Sequence, residues 1–522
     1  MKHKITYSRK QLSYRILAFL VFVLCVAIHS NAAAFAGSGT EEDPYLVTDA
    51  DELYMLRSYT NQSYFFRLEN DIDLTEFIQD DSPERGWEPI GSSSSPFCGT
   101  FDGNGHTISG LYINSTNTNV GLFGYFKGTI KNLTVKGDVT STGDNVGGIA
   151  GCGSPYSSSV YTKIASCVYE GSVTGKSSVG GICGKIEDTN NIGRTSITGC
   201  GFKGTLKSKN SYSGGIIGYS KAAIINECWV YGSLDGYSVG GICGYGETRI
   251  YCCYAKCDIK AYYSGAGIIS WLYTVYRGSQ NYCSIHFCQF AGTIEAKEHI
   301  GGIIHDARGV QVNQCIARGK LISNGSSGTV SGIIGSMSRN TVNNAYVYCR
   351  VTSNVSAFDE ISLTRTSTAT GLTAARITYS STTDHYIGEE GSSAANLALS
   401  AMTIKANDQN VDVSAYANHG SGKSLSALKK QMYYESIGYN FDSMWAIDPD
   451  LNDGFPYVQA LESVIRELEA DDEGGETTVI SAPIAEKSTS WMSGFFTVDG
   501  RKVKEPTHKG VYIRDGRKVV IK

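Results

Sequence analysis

The sequence predicts an all-β chain: a right-handed parallel β-helix with short helical caps and a small C-terminal β unit. Three observations predict it. The composition is glycine-rich and proline-poor, one short apolar motif recurs every few tens of residues, and a second motif with period-two alternation lies between its copies. Among 522 residues there are 60 glycines and 33 tyrosines but only 9 prolines, the profile of many short strands with glycine at their turns and not of a helical bundle.

The first motif reads VGLFG from Val120, VGGIAG from Val146, VGGICG from Val179, SGGIIG from Ser213 and VGGICG from Val239. It continues as SGAGIIS from Ser264, IGGIIH from Ile300 and VSGIIG from Val330. Copies start 25 to 36 residues apart, which is repeat spacing with loops of variable length. The second motif aligns on a column of Leu133, Cys167, Cys200, Cys228, Cys253, Cys288, Cys315 and Ala345. A β-branched residue stands three places before each, from Ile130 to Val342, and a glycine, Cys257 or Cys349 four places after. Apolar or small residues fill the second and sixth places after, so the even offsets share one strand face. A unit of two short strands cannot bury its own inner face, so units must stack and share a core. Stacking superposes identical columns about 4.8 Å apart, and crossovers in one direction favour a right-handed coil.

That geometry bears on the 15 cysteines, of which Cys25 lies in the leader. An exported chain so rich in cysteine suggests a disulfide framework. Vertically stacked residues, however, hold their Cβ atoms about 4.8 Å apart, beyond the ~3.5 to 4.5 Å that a disulfide prefers. The column therefore reads as a ladder of thiols acting as small buried hydrophobes, and Cys257 and Cys349 as small residues in the glycine column. Bridging of Cys98 to Cys152, or through Cys283, stays open. Zinc is disfavoured by the lack of paired CxxC spacing and of nearby histidines.

A basic start (Lys2, Lys4, Arg9, Lys10, Arg15), an apolar stretch from Ile16 to Ile28 and the small-x-small signal Ala34-Phe35-Ala36 predict a signal peptide over 1–36. No later segment is apolar enough to span a membrane. Residues 37–115 read as an N-terminal cap and first coil, with Asp49 and Glu52 as a capping box ahead of Leu53 and Leu56. The repeat helix covers 116–352, and 353–423 reads as degenerate coils and loops. A C-terminal cap over 424–462 carries a helix starting at Ser424, with Leu425, Leu428, Met432 and Tyr433 at helical spacing and Gly438 as its stop. Residues 463–490 read as an acidic and polar linker, and 491–522 as a short β tail with two DGRK turns, in its simplest form a hairpin.

Several of these stretches carry a family resemblance: GSGTEEDPYLVTDADEL from Gly37, NDIDL from Asn70, WEPIG from Trp87, FCGTFDGNGHTISGL from Phe97, the VGLFG and VGGIxG repeats, and YYESIGYNFDSMWAIDPDLNDGFPYV from Tyr433. The chain resembles exported Bacteroidetes-type proteins carrying the GLUG motif, found in adhesin-like proteins and in accessory regions of certain bacterial IgA-cleaving metallopeptidases. The resemblance covers most of 37–462 and implies surface interaction. The tail from Phe495 resembles the end of C-terminal sorting or anchoring domains in the same bacteria, at about half their length.

Catalytic signatures are not found in the sequence. No HE dipeptide occurs, so the HExxH helix of a metallopeptidase is absent. No GxSxG elbow joins a strand to a helix, the glycine-rich stretches lack the lysine of a phosphate loop, and no cofactor or metal is expected. Asp448, Asp450, Asn452 and Asp453 superficially suggest calcium, but the glycine falls one place late and no closing glutamate follows, so they read as a capped turn. Asp102-Gly103-Asn104-Gly105 reads as a tight turn. Net charge is −5 with scattered basic residues, which excludes a nucleic-acid footprint. Binding is expected instead from aromatic side chains, Tyr262, Tyr263, Trp271, Tyr273 and Tyr276, with Tyr282 beyond, in and around one loop between repeats. The expectation is a secreted or cell-surface adhesin-like protein displaying loops to a host glycan, an extracellular-matrix protein or a neighbouring cell surface. The alternatives are a β-helix polysaccharide lyase or glycosidase, and a structural spacer.

Overall fold

The computed structural model describes residues 35–155, 161–188, 195–274 and 283–325, most of 328–472, and four short strands between 495 and 521. The expected leader up to residue 34, and Tyr276 and Tyr282, lie outside the described residues.

The chain folds as a parallel β-helix. Its successive coils pair in parallel within one large sheet, and one vertical column runs Tyr45, Phe66, Phe101, Ile130, Ile164, Ile197, Ile225, Ile250, Ile285, Val312, Val351 and Ile387. Each residue lies over its counterpart in the next coil, so one apolar core runs the length of the stack. At the front, Asp49 accepts a hydrogen bond from the Glu52 amide (2.9 Å) and Glu52 accepts one from the Thr48 amide (2.7 Å). This reciprocal cap starts the helix Ala50–Met55, which buries Leu53 over the first coil.

The cysteine column has a local cause. Directly before each of its members from Leu133 to Cys315 stands a residue with positive φ: Asn132, Ser166, Gly199, Glu227, Cys252, Phe287 and Gln314. The chain turns a corner there, and the inward thiol donates to the carbonyl two residues back, at 3.3 Å in Cys167 and Cys228 and 3.1 Å in Cys253. All the described cysteines are free, Cys98 and Cys152 included. Burial pushes the Cys152 thiol up to about 12, and the Cys167, Cys228, Cys253 and Cys288 thiols well above their ordinary value.

The last coil departs from the expected alignment. Residues 340–342 and 345–347 pair with each other as a separate two-stranded antiparallel sheet, outside the large parallel one. Val351, not Val342, therefore continues the column above Val312, and Asn354, not Ala345, follows Cys315. Asn354 accepts from the Cys315 amide (3.0 Å) and donates to the Val312 and Thr352 carbonyls (3.0 Å each), and Asn396 repeats the arrangement one coil on. An amide satisfies both partners of the corner where a thiol satisfies one, so an asparagine ladder takes over from the thiols.

The glycine column is conformational and not merely small. Gly137, Gly171, Gly204, Gly232 and Gly292 hold φ between 136° and 154°, and a Cβ on Gly171 would lie 1.9 Å from the Gly137 carbonyl oxygen. Cys257 occupies this column; Cys349 does not, and Phe358 stands over Gly319, followed by a register shift.

The C-terminal part also differs from expectation. The helix expected from Ser424 is confined to Gln431–Glu435, Leu425 and Met432 are exposed, and Leu428, Tyr434 and Ile437 are buried. The supposed linker begins with a helix, Glu462–Asp472, which lies along the outside of the stack. Its Val464, Ile465 and Leu468, with Leu451, Tyr457 and Leu461, bury Val168, Trp229 and Tyr254, which with Gly201 form one column over four coils. Lys203 pairs with Asp471 at 2.5 Å, and Arg318 pairs with Asp453 and donates to Asn452 (2.7 Å). Residues 451–472 thus form a lateral strap. The four strands between 495 and 521 form an antiparallel sheet of their own, larger than a hairpin.

Candidate functional site

The site is built by the strand of each coil that follows the cysteine strand and enters the GGIxG segment. Three successive coils carry a Tyr-Ser pair just before that segment: Tyr212-Ser213, Tyr237-Ser238 and Tyr263-Ser264. Parallel pairing sets Ser238 beside Tyr212 and Ser264 beside Ser238, with a register shift after Gly236 that brings the tyrosine rings together. The serines face inward, and Ser264 bonds to Ser238 and Ser270 at 3.0 Å each, which pins the corner. The rings face outward. Tyr237 stacks on Tyr263, with centroids 5.6 Å apart and planes 10° from parallel.

Together with Trp271 from the adjoining GGI-type strand, these rings line a trough of about 440 Å³, whose remaining walls are Asn210, Ser211 and Ser238. The volume falls within the ~300 to 1,000 Å³ of small-molecule sites. Trp271 is held from behind by His305, edge to face at 5.0 Å, and His305 stacks on His299. Burial depresses the pKa of both histidines, His305 well below the ordinary value, so both are neutral at neutral pH.

Next to the trough, Tyr219 stacks on Tyr245 (5.1 Å), Tyr212 lies 4.4 Å from Tyr245, and the Tyr245 hydroxyl donates to the Tyr273 hydroxyl. Burial raises the pKa of all these phenols, Tyr219 to about 12. They are hydrogen-bonding groups at neutral pH and poor proton-abstracting bases. The cations nearby are engaged: Lys185 with Glu187 (2.9 Å), Arg308 with Asp306 (3.1 Å), and Lys297 over the Tyr262 ring (4.1 Å).

Of the expected residues, Tyr263 and Trp271 line the trough. Tyr262 is 60% exposed on its rim, stacked on Tyr237 at 5.6 Å, and Tyr273 belongs to the adjacent tyrosine network. Tyr212, Tyr237, Asn210, Ser211 and Ser238 were not anticipated. The recurring Tyr-Ser pair was their signal. The acidic stretch is accounted for within the chain: Asp448 accepts from the Asp450 amide (3.0 Å) and from Arg466 (2.9 Å), and buried Asn452 donates to the Phe455 and Pro456 carbonyls. Asp102–Gly105 is a tight turn with positive φ at Asn104 and Gly105.

Fold and trough define a parallel β-helix with an aromatic outer face. No protein-family model matches the chain. A 127-residue stretch is 41% identical to a protein of Evansella cellulosilytica named as a Gly-rich membrane protein, covering 23% of this chain and 14% of that one. A 132-residue stretch is 32% identical to halomucin of Haloquadratum walsbyi, covering 23% of this chain and 1% of that one. The chain thus spans a small fraction of the length of these curated relatives. Among solved structures, a chain from Bacteroides ovatus named as an immunoglobulin A1 protease aligns over 81% of this chain and 94% of its own, at 18% identity and a TM-score of 0.39. A second, named IgA1 protease, covers 75% and 24% at 12% identity and a TM-score of 0.30. Among the described residues no helix is long and apolar enough to cross a membrane.

Proposed function

We propose that this chain is an exported, surface-acting binding protein of adhesin-like type, which presents the trough between Tyr212 and Trp271 to a glycan or glycoprotein outside the cell. One observation carries the reading: four aromatic rings from consecutive coils converge on a single open trough on a rigid scaffold. The basic, apolar and small-residue leader supports export, and local likeness to a protein named as a membrane protein is in keeping with a place at the surface. Binding is favoured over turnover because the Tyr212 phenol and those of its neighbours Tyr219, Tyr245 and Tyr273 are shifted upward by burial, away from a proton-abstracting role. The test is an array of glycans and extracellular-matrix proteins probed with the purified secreted chain, with mass spectrometry of the bound glycans. Retention without cleavage is expected. Release of a shortened glycan would replace this reading with a carbohydrate-active enzyme, and silence on the whole array with a spacer.

A further inference from the structure

The trough also carries information about the chemistry of its ligand, given that it binds one as proposed above. Its walls combine four aromatic rings with one amide and two hydroxyl side chains, and none of the lining residues is charged. Neighbouring cations are held elsewhere, Arg308 on Asp306 and Lys185 on Glu187, and Lys297 covers Tyr262 outside the lining. A carboxylate or sulfate seated among these rings would meet no cation among the described lining residues, an arrangement that disfavours binding. A sugar without charge meets no such penalty. Its C–H face packs on a tyrosine or indole ring, while Asn210 and Ser211 supply neutral donors and acceptors for its hydroxyls. Neutral histidines behind Trp271 add no positive charge at neutral pH.

The direction of the trough adds a second element. Tyr212, Tyr237 and Tyr263 come from three coils stacked one above the next, Tyr237 on Tyr263 and Tyr212 set one residue along beside Ser238, so the lining rings are spread along the stacking axis. An elongated ligand lying along this row would contact one ring per coil. We infer that the trough takes an uncharged polysaccharide segment lying along the axis, with successive sugars on successive coils.

The test is calorimetric titration of the intact secreted chain with two sets of defined oligosaccharides. One set is neutral (gluco-, manno-, xylo- and N-acetylglucosamine oligomers) and the other acidic (galacturonate and mannuronate oligomers). The expected result is binding of at least one neutral series, tightening over the first few sugars and changing less than about twofold between ~50 and 500 mM salt. Tyr237→Ala is expected to weaken it by about tenfold or more, while Tyr112→Ala, an exposed ring far along the chain, leaves it unchanged. Circular dichroism of each variant separates loss of contact from loss of fold. Binding confined to acidic oligomers, affinity that falls steeply with salt, or indifference to Tyr237→Ala would overturn the inference. Retention of a matrix protein with no response to any sugar would overturn it while leaving the binding function standing, whereas failure of both would remove that function too.

Discussion

At the residue scale, the corners of the coils explain why cysteine is so common in a chain expected to be exported. A positive-φ residue turns each coil inward, and in the coils from Cys167 to Cys315 the next side chain is a small thiol that can meet a carbonyl. Cysteine does this weakly and asparagine fully, which accounts for the change to Asn354 and Asn396 where the repeat degenerates. The column itself was legible because the offsets within its motif are fixed; the positive φ was not, since Glu227 and Phe287 are residue types that give no such signal. Titration adds a prediction. His286 is buried against Tyr251, and burial with the Arg249 charge pushes its pKa down to about 4. The folded form thus takes up the proton less readily than the unfolded chain, whose histidines titrate near ~6.5. Its contribution is complete above about pH 6.5 and is lost as pH falls toward 4, by up to a few kcal/mol. His305 and His299 act in the same direction. Thermal unfolding between pH 7 and 4 is expected to show a falling Tm, and His286→Phe a shallower fall; an unchanged slope in the variant would count against this assignment.

At the scale of elements, sequence reading succeeded where a pattern repeats and failed where one element packs on the outside of another. The stretch ESVIRELEADD is mostly charged, so its three apolar residues looked like incidental members of a linker. They form one stripe, and it buries Trp229 and Tyr254. Ile465→Asp places a charge in that interface and is expected to cost about 2 to 4 kcal/mol of local stability. Limited proteolysis would then cut within 451–472 while the coils stay intact; resistance equal to the parent chain would show that the strap is held by other contacts. The contacts of the first described residues bear on the expected N-terminal boundary. Phe35 is 4% exposed, within 5.1 to 5.5 Å of the rings of Tyr45, Tyr59 and Phe66, and the Ala36 carbonyl accepts from the Leu46 amide (2.9 Å). Cleavage before Gly37 would remove both. Ala32-Ala33-Ala34 offers the same small-x-small signal two residues earlier, so N-terminal sequencing of the secreted protein is expected to begin at Phe35. A start at Gly37 would mean that the cap folds without this ring.

At the scale of the whole molecule, stacking converts a short repeat into a long rigid face, and small variations in one column become a site. Tyrosine before GGI is unremarkable in one coil; in three consecutive coils, next to Trp271, it makes a trough. Attention to the inserted loop singled out Tyr263 and Trp271 of the trough lining, and attention to the recurring Tyr-Ser pair would have singled out Tyr212 and Tyr237 as well. The proposed ligand leaves no trace in the repeat, because the residues that would choose it sit on the outer face, where packing imposes no pattern. The most direct test of the account is hydroxyl-radical footprinting of the intact chain, read by mass spectrometry, with and without a saturating glycan selected on the array. Protection of Tyr212, Tyr237, Tyr263 and Trp271, with Tyr112 and Tyr161 labelled equally in both samples, is the predicted result. Protection elsewhere, with the trough labelled as before, would contradict the assignment of this face as the binding site.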